Sequence, residues 1–312
     1  MESIKNRELQ ESEIVAMNKF AIYTVITGGY EDVLQPLVID DRFDYILFTD
    51  KVNTDKEGAW AVRKVPEIHN LDKIRLSRYP KTHPANLLSE YEASLYLDAN
   101  IQIKDNWIYS RFIELVNAGV EYAGVKLVVT GRDCIYDHAF DMCSMHVEHD
   151  YTGIKQCHEL YLRHFPQHFG LNENNMIFRR HTEKVKKVDD EWWEWILNYS
   201  CRDQFSYMYC LWKNKIPINY LLPEGEDARN SRHFNFVVHN NKPNVSKRKI
   251  KKKSLIEKIR LLALSYNKQE GLRIWEKSYK SNKPVSSLYL QSYLILLKNF
   301  PSLINKCIET RL

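Results

Sequence analysis

The chain of 312 residues is long enough for one large α/β domain, or for one domain with a small extension. Its hydrophobic content of 44%, with 7 Trp, 19 Tyr and 12 Phe, is enough for a sizeable core and excludes a disordered protein. The net charge of +5 is concentrated in one basic run at 247–253, so the rest of the chain is close to neutral.

The compartment is indicated by three features of the sequence. No stretch approaches the roughly 18 apolar residues of a membrane span. The first residues, MESIKNRELQESE, are polar and charged, unlike a secretory signal. The six Cys form no C-x-x-C pair, which argues against a disulfide framework and a zinc ribbon. We therefore expect a cytoplasmic protein, working in the cytoplasm or at the inner face of the membrane.

In chain order, the first half alternates between strand patterns and helix patterns. Apolar, β-branched runs predict strands at 20–27, 45–48, 60–65, 94–98 and 121–129. Helical patterns occupy 84–90 and 105–118. This alternation predicts a mostly parallel sheet covered by helices on both faces, with ligands bound beyond the carboxyl ends of the strands.

The second half predicts further elements and a change of composition. Helical patterns cover 151–164 and 189–209, and strand patterns cover 174–179, 220–222 and 234–239. The predicted domains are a lead-in at 1–17, an α/β domain at 18–241, a basic linker at 242–253 and a C-terminal helical extension at 254–312. Neither G-x-G-x-x-G nor G-x-x-x-x-G-K-[ST] occurs, which argues against a dinucleotide dehydrogenase and a P-loop ATPase.

Polar residues follow three of the predicted strands, at 27–30, 49–50 and 98–100. The third group, Asp98 and Asn100 in LYLDANIQIK, offers the oxygen ligands that Mg²⁺ or Mn²⁺ prefers. Taken alone, the same stretch also fits a strand-ending turn without a metal. Three polar strand ends on one edge of a sheet make a ligand site there a reasonable expectation.

Six segments, in order, resemble one known family: YTVITGGYED, FDYILFTD, YLDANIQI, RDCIYDHAFD, GLNENNMIFRRH and WWEWILNYSCRDQFSY. Over residues 20–240 the chain resembles bacterial members of a glycosyltransferase-like family, formerly a domain of unknown function. Plant relatives of that family act in mucilage polysaccharide synthesis and pollen-tube turgor control. The resemblance implies a GT-A type nucleotide-sugar transferase, with a Rossmann-type α/β/α sandwich, a mostly parallel central sheet and a D-x-D-type metal site.

The resemblance also implies where the donor binds. Asp98 and Asn100 take the D-x-D position as ligands of Mn²⁺ or Mg²⁺, with His239 as a third ligand by position. The neutral Asn100 offers less charge than an acid, which puts the dependence on a metal in question. The residues expected around the base and ribose of the donor are Thr27, Gly28, Gly29, Tyr30 and Asp50. Expected at the diphosphate, or on the acceptor side, are Arg75, Arg78 and Lys81.

The catalytic residues implied by the resemblance are Arg202, Asp203 and Gln204, which match its RDQ motif. Asp203 would take the proton of the acceptor hydroxyl in an inverting reaction, or would only position the sugar. Expected on the acceptor or sugar side are Arg132, Asp133, Tyr136 and Glu173. The first three fit an ion-paired turn equally well, and Glu173 fits a surface turn.

Two functions remain open from the sequence. The first is a metal-assisted glycosyltransferase that moves a sugar from a nucleotide-sugar donor to a cell-surface glycan or a lipid-linked acceptor. The alternative is a non-catalytic module with a GT-A-like fold that binds a glycan or a cell-envelope partner. The run at 247–253 is either a solvated linker or a peripheral contact with anionic membrane, and a nucleic-acid partner is not expected.

A group of three tryptophans and two pairs of histidines are explained better without a bound sugar or zinc ion. Trp192, Trp193 and Trp195 could stack on a sugar, but their helical spacing favours core packing. The histidine pairs at 146 and 149 and at 164 and 168 lack the acid of an H-E-x-x-H zinc motif, which argues against a zinc site.

Overall fold

The structure, a computed structural model, describes residues 20–29, 32–128, 131–144, 147–148 and 150–238. The chain divides into two compact units. The described residues of unit 1 lie within 20–125, 174–190 and 216–238, and those of unit 2 lie within 126–173 and 191–215. Tyr30, His239 and the predicted linker and extension beyond 241 lie outside the described residues.

The strands are β1 (Phe20–Ile26), β2 (Phe43–Thr49), β3 (Lys56–Glu57), β4 (Trp60–Lys64), β5 (Ala93–Leu97), β6 (Ile101–Ile103), β7 (Tyr122–Lys126), β8 (Asn172–Arg180) and β9 (Phe234–Phe236). Seven of them form a sheet in the order β3-β4-β2-β1-β5-β8-β7. β1 pairs in parallel with β2 and β5, and β2 pairs in parallel with β4. β3 and β8 pair antiparallel to their neighbours β4 and β5. The predicted α/β fold with a mostly parallel sheet is confirmed.

The helices are α1 (Lys73–Thr82), α2 (Pro84–Leu87), α3 (Trp107–Asn117), α4 (Ile135–Ser144), α5 (Asp150–Leu162), α6 (Glu183–Asn198) and α7 (Gln204–Lys213). α1 was not predicted from the sequence. Asp72 caps it by accepting hydrogen bonds from the backbone N–H groups of Ile74 and Arg75, at 3.0 and 2.9 Å. Among the described residues, no helix combines the length and the apolar composition needed to cross a membrane.

The core of unit 1 explains why the central strands are apolar on both faces. All five residues of β5 are buried, as a strand covered on both faces requires. The rings of Phe20, Phe43 and Phe112 pack against one another, with centroids 4.9 to 5.7 Å apart. Burying one such side chain stabilises the fold by about 1.5–3 kcal/mol, so this aromatic cluster fixes α3 against the sheet.

In unit 2 the prediction of one continuous helix is wrong, and the prediction of tryptophans packed in a core is confirmed. The predicted helical region at 189–209 is broken between α6 and α7. Ser200 interrupts it, because its backbone N–H donates to Gln156 Oε1 and its hydroxyl accepts from the Arg202 N–H, at 3.1 and 3.0 Å. Trp192 is fully buried, and Trp193 and Trp195 are nearly so, which confirms the prediction that they pack in a core.

Candidate functional site

The parallel pairing in unit 1 brings the three predicted polar strand ends to one edge of the sheet. β1 and β2 end together, with Ile26 opposite Thr49. β5 runs beside β1 in the same direction, with Tyr96 opposite Tyr23. The segments that follow these strands are 27–29, 50 and 98–100, so they emerge at the carboxyl edge, where open α/β sheets bind ligands.

A glycine turn after β1 is tied to the end of β2. The backbone N–H of Gly28 donates to Asp50 Oδ1 at 2.8 Å. Thr27 Oγ1 donates to the Lys73 carbonyl at 3.2 Å, which joins the same turn to the start of α1. Gly28 and Gly29 have φ values of +75° and +64°, a conformation that glycine adopts without strain.

Two lysines that sequence reasoning missed lie against this turn. A Cβ added to Gly29 would be 2.8 Å from Lys51 Nζ, and one added to Gly28 would be 3.9 Å from Lys73 Nζ. Both lysines are exposed. Because the two glycines have no side chains, the two lysines can lie against the backbone of the turn, which places positive charge where an anionic ligand could bind. The only sign in the sequence that Lys51 belongs to the site is that it directly follows Asp50, which was predicted to bind the donor.

Helix α1 carries further cations along the same edge. Arg75, predicted to face a diphosphate, forms an ion pair with Asp72, with Nη1 and Oδ2 2.6 Å apart. Lys81 lies in the last turn of the helix and is buried. A helix rises 1.5 Å per residue, so α1 spaces Lys73 and Lys81 about 12 Å apart along its axis. The basic helix thus reaches from the glycine turn towards the end of β5.

Asp98 has two close partners at the end of β5. The Tyr96 hydroxyl donates to Asp98 Oδ1 at 2.7 Å. The Lys81 ammonium lies 3.8 Å from the same oxygen and 4.6 Å from the centroid of the Tyr96 ring. The side chain of Asp98 is 35% exposed, whereas that of Lys81 is 3% exposed. Asp98 is therefore the accessible end of an ion pair whose cation is enclosed.

A buried network holds the backbone of Lys81. Arg179 donates to the Lys81 carbonyl at 2.5 Å and to the Tyr23 hydroxyl oxygen at 2.8 Å. Nη1 of Arg179 donates to Asp189 Oδ1 at 2.9 Å, whereas the two bonds above come from Nη2. The Tyr122 hydroxyl donates to the same oxygen of Asp189. Burial raises the pKa of the Asp189 carboxyl, and the positive charge of Arg179 opposes that rise.

Two buried amides near Asp98 have side-chain atoms without a hydrogen bond. Asn100 Nδ2 donates to the Val237 carbonyl at 2.9 Å, which leaves Oδ1 buried with no partner in the described chain. Neither Oδ1 nor Nδ2 of Asn174 has a partner there, although the residue is only 2% exposed. Asn174 lies next to Asn175, whose carbonyl accepts the Asp98 N–H at 2.8 Å. Unpaired buried amides cost about 1–3 kcal/mol each, and a ligand rich in hydroxyls would satisfy them.

The predicted metal ligands fit a divalent cation by atom type but not by charge. Asp98 is the one carboxylate, and its Oδ1 already accepts from Tyr96 and faces the Lys81 ammonium. Asn100 is neutral, and His239 lies outside the described residues. Among the residues that the structure describes, there is no group of three or more His, Cys, Asp or Glu side chains that could hold a metal ion. This donor set does not fit a tightly held Mn²⁺ or Mg²⁺ ion.

In unit 2, the predicted catalytic residues lie at the start of α7. Asp203 is buried, its carbonyl accepts the Trp192 indole N–H at 2.9 Å, and its carboxylate does not cap the helix. Gln204 Nε2 donates to the Asn172 carbonyl at 3.1 Å. These contacts fix the backbone of the RDQ segment and leave the Asp203 carboxylate without a capping role.

A histidine that the sequence offered only as one member of a histidine-rich stretch lies near the same segment. His138 is buried, and burial together with the positive charge of Arg202 lowers its pKa to about 4. Arg132 acts on it in the same direction. Arg132 and Arg202 were predicted to have different roles. In the structure the positive charges of both favour the neutral form of His138.

The other residues predicted on the acceptor side are held within unit 2. Arg132 forms two hydrogen bonds to Asp141, at 2.8 and 3.1 Å. Asp133 pairs with His168 Nδ1 at 2.8 Å, and this bond lowers the pKa of Asp133. Tyr136 is enclosed and donates to the Phe165 carbonyl at 2.8 Å. Glu173 is buried rather than on a surface turn. Arg132 and Asp133 therefore fit the alternative of an ion-paired turn, since Arg132 pairs with Asp141 and Asp133 pairs with His168 within unit 2.

Comparison with known proteins gives a distant structural likeness. No protein-family model and no curated protein sequence matches the chain. Core-mannan synthase A (CmsA/Ktr4) from Aspergillus fumigatus, in its Mn/GDP form, matches with 9% identity and a TM-score of 0.39, covering 63% of this chain and 70% of its own. The mannosyltransferase Ktr4p from S. cerevisiae matches with 11% identity and a TM-score of 0.32, covering 62% of each chain. At such identities and scores the likeness assigns neither a donor nor an acceptor.

Proposed function

We propose that the chain is a glycosyltransferase with a GT-A-like fold, which moves a sugar from a nucleotide-sugar donor to a cell-surface glycan or lipid-linked acceptor. The observation that carries this proposal is the carboxyl edge of the sheet in unit 1. There a glycine turn bonded to Asp50, a cationic helix and the partly exposed Asp98 follow neighbouring parallel strands. The six-segment sequence resemblance supports the same assignment.

The donor nucleotide is assigned to the glycine turn. Gly28 and Gly29 let the backbone approach a ligand closely, and Asp50 fixes the turn through the Gly28 N–H. Lys51 and Lys73 would face the diphosphate, since their ammonium groups lie beside the two glycines. A diphosphate carries concentrated negative charge, which fixed cations stabilise as it leaves.

The transferred sugar is assigned to the buried amides. An amide offers one acceptor oxygen and an N–H₂ donor, which match neighbouring hydroxyl groups on a sugar ring. Asn100 Oδ1 and both polar atoms of Asn174 have no hydrogen-bond partner among the described residues. Neutral amides favour a neutral hexose over a uronic acid, because nothing in them pairs with a carboxylate charge.

The chemical step is assigned to the RDQ segment. Asp203 would take the proton from the acceptor hydroxyl as the new glycosidic bond forms, and the bond to the diphosphate breaks. Arg202 and Gln204 would position the reacting groups. The predicted metal ligation by Asp98, Asn100 and His239 has no part in this scheme, because the charge around Asp98 does not suit it.

The acceptor side and the membrane contact stay predictions. Arg132, Asp133, Tyr136 and Glu173 are proposed only as residues around the acceptor region of unit 2. The basic run at 247–253, expected to meet anionic membrane, lies outside the described residues. Replacing its lysines with glutamines is expected to reduce binding to anionic liposomes, where each basic residue contributes about 1 kcal/mol.

A panel of nucleotide sugars tests the proposed function. Purified protein is titrated with UDP- and GDP-linked neutral hexoses and uronic acids, and binding is followed by calorimetry and thermal shift. A ligand that binds the native state raises the melting temperature. The proposal expects one neutral donor to bind and to be consumed. Binding without consumption, even with candidate acceptors, would favour the non-catalytic module.

A further inference from the structure

We propose that the Lys81 ammonium is the resident cation of the Asp98 site, so that the chain binds a nucleoside diphosphate without a divalent metal. This inference rests on the proposed function and concerns the same site. It assigns Asp98 as the counter-ion of a buried lysine rather than as a metal ligand.

The first support is the position of Lys81. Its ammonium lies 3.8 Å from Asp98 Oδ1 and 4.6 Å from the centroid of the Tyr96 ring. The electron-rich face of an aromatic ring stabilises a cation at this distance. The Tyr96 hydroxyl donates to the same carboxylate oxygen at 2.7 Å. One carboxylate oxygen thus has a hydrogen-bond donor and a cation beside it before any ligand binds.

The second support is that Lys81 cannot easily move away. The Lys81 carbonyl accepts from Arg179 at 2.5 Å, and it also lies 3.4 Å from the Tyr23 hydroxyl. Arg179 is fully buried and is itself paired with Asp189. A backbone held by a buried ion pair cannot shift without exposing that pair. The backbone of Lys81 is therefore fixed, and its side chain, which is 3% exposed, is enclosed beside Asp98 and Tyr96.

The third support is electrostatic. A divalent ion bound to Asp98 would lie close to the Lys81 ammonium, which is only 3% exposed, and the two like charges would repel each other. Asn100 adds no negative charge to offset that repulsion, since an amide replaces the second acid and its Nδ2 is used by the Val237 carbonyl. The pair of Lys81 and Asp98 is close to neutral already, so the site has little attraction for a metal.

Positive charge for the diphosphate is available elsewhere on the same edge. Lys51 and Lys73 lie beside the glycine turn and are exposed. α1 separates Lys73 from Lys81 by about 12 Å along its axis. The donor would thus meet ammonium groups at the turn, while Lys81 prevents Asp98 from repelling its phosphates.

The test measures the affinity of the full-length protein for UDP and GDP by calorimetry, once with EDTA and once with Mn²⁺. The wild-type affinity is expected to differ by less than about twofold between the two conditions. Lys81→Met is expected to weaken binding in EDTA by about tenfold, the scale of one lost charged contact. Lys184→Met serves as control and should change nothing, because that lysine pairs with Glu121 elsewhere in unit 1.

A second readout does not depend on the folding of the lysine variant. Mn²⁺ electron paramagnetic resonance of the protein alone, without nucleotide that would itself carry Mn²⁺, should show no binding of Mn²⁺ to the wild type. Asn100→Asp, which restores the second acid, should bind Mn²⁺ measurably. A wild-type affinity at least tenfold higher with Mn²⁺ than with EDTA would overturn the inference while leaving the glycosyltransferase intact. Failure of the wild type to bind any nucleotide in either condition would overturn both.

Discussion

The guanidinium of Arg179 donates a 2.5 Å hydrogen bond to the backbone carbonyl of Lys81. Arg179 lies on β8 and is fully buried, whereas Lys81 lies in the last turn of the cationic helix α1, beside Asp98. A cation near the end of a helix also satisfies a carbonyl that has no partner within the helix. The core of unit 1 and its candidate site are therefore connected through one side chain.

Replacing Arg179 with lysine is expected to destabilise the protein by about 2–4 kcal/mol. A lysine keeps the charge but cannot reach Asp189, the Tyr23 hydroxyl and the Lys81 carbonyl together. Arg180→Lys is the matched control, since that neighbour forms a partly exposed ion pair with Glu92. It should cost less than about 1 kcal/mol. Urea unfolding measures both, and equal losses would contradict the role of the buried network.

Acid should destabilise the protein partly through His181. Burial and the nearby Arg179 lower the pKa of this histidine from 6.5 to about 4. Its Nδ1 lies 2.9 Å from the Tyr91 carbonyl and Nε2 lies 2.8 Å from the Ser94 hydroxyl, contacts that suit a neutral ring. A depressed pKa gives stability that is present above the unfolded value of 6.5 and is lost as the pH falls towards 4.

The expected loss from this one group between pH 7 and pH 5 is about 2 kcal/mol. Urea unfolding of the wild type and of His181→Gln at both pH values measures it. The variant should be less stable at pH 7 but should lose less on acidification. Parallel pH curves for the two proteins would show that His181 titrates normally.

Gly29→Ala should weaken nucleotide binding through the turn rather than through the stability of the fold. An alanine at a φ of +64° is strained by about 1 kcal/mol, and its Cβ would lie 2.8 Å from Lys51 Nζ. Gly119→Ala is the control, because its φ is +68° and no atom lies within 4 Å of the added Cβ. Both variants should lose similar stability, and only Gly29→Ala should lose nucleotide affinity. An equal loss of affinity would remove the turn from the site.

Asn174→Gly separates stability from binding. Asn174 has a φ of +36° and two buried polar atoms without partners in the described residues. Glycine suits that backbone and removes the unpaired amide, so the free energy of unfolding should stay the same or rise by about 1 kcal/mol. Affinity for the sugar nucleotide should fall about tenfold while affinity for the free nucleoside diphosphate is kept. Loss of both affinities together would place Asn174 away from the sugar.

The strands of the parallel sheet were predictable because each is a short apolar run that ends in polar residues. β1, β2, β4 and β5 lie within two residues of their predicted bounds. α1 was missed because its sequence, KIRLSRYPKT, contains a proline and few apolar residues. Its formation depends on the Asp72 cap and on the buried network that holds its last turn. Such long-range contacts leave no periodic pattern in the sequence.

The site was predictable where it coincides with strand ends and not where it depends on folding. Asp50 and Asp98 follow strands, so their place at the carboxyl edge could be inferred. Lys73 lies beside the glycine turn, where Thr27 Oγ1 donates to its carbonyl, although the two residues are 46 positions apart in the chain. Asn174 stands out through its backbone angle and its unpaired amide, neither of which is visible in the letters NENN.

The central claim is most directly tested by measuring turnover of nucleotide sugars. Release of nucleoside diphosphate from a panel of UDP- and GDP-hexoses is followed with glycan and lipid-linked acceptors, for the wild type and for Asp203→Asn. Asp203 is buried, and asparagine keeps the size of its side chain, so the melting temperature of the variant is measured alongside to show that it is folded. The account predicts acceptor-dependent release for one neutral donor and a loss of at least about a hundredfold in the variant. Equal rates in both proteins, or no release from any donor, would contradict it.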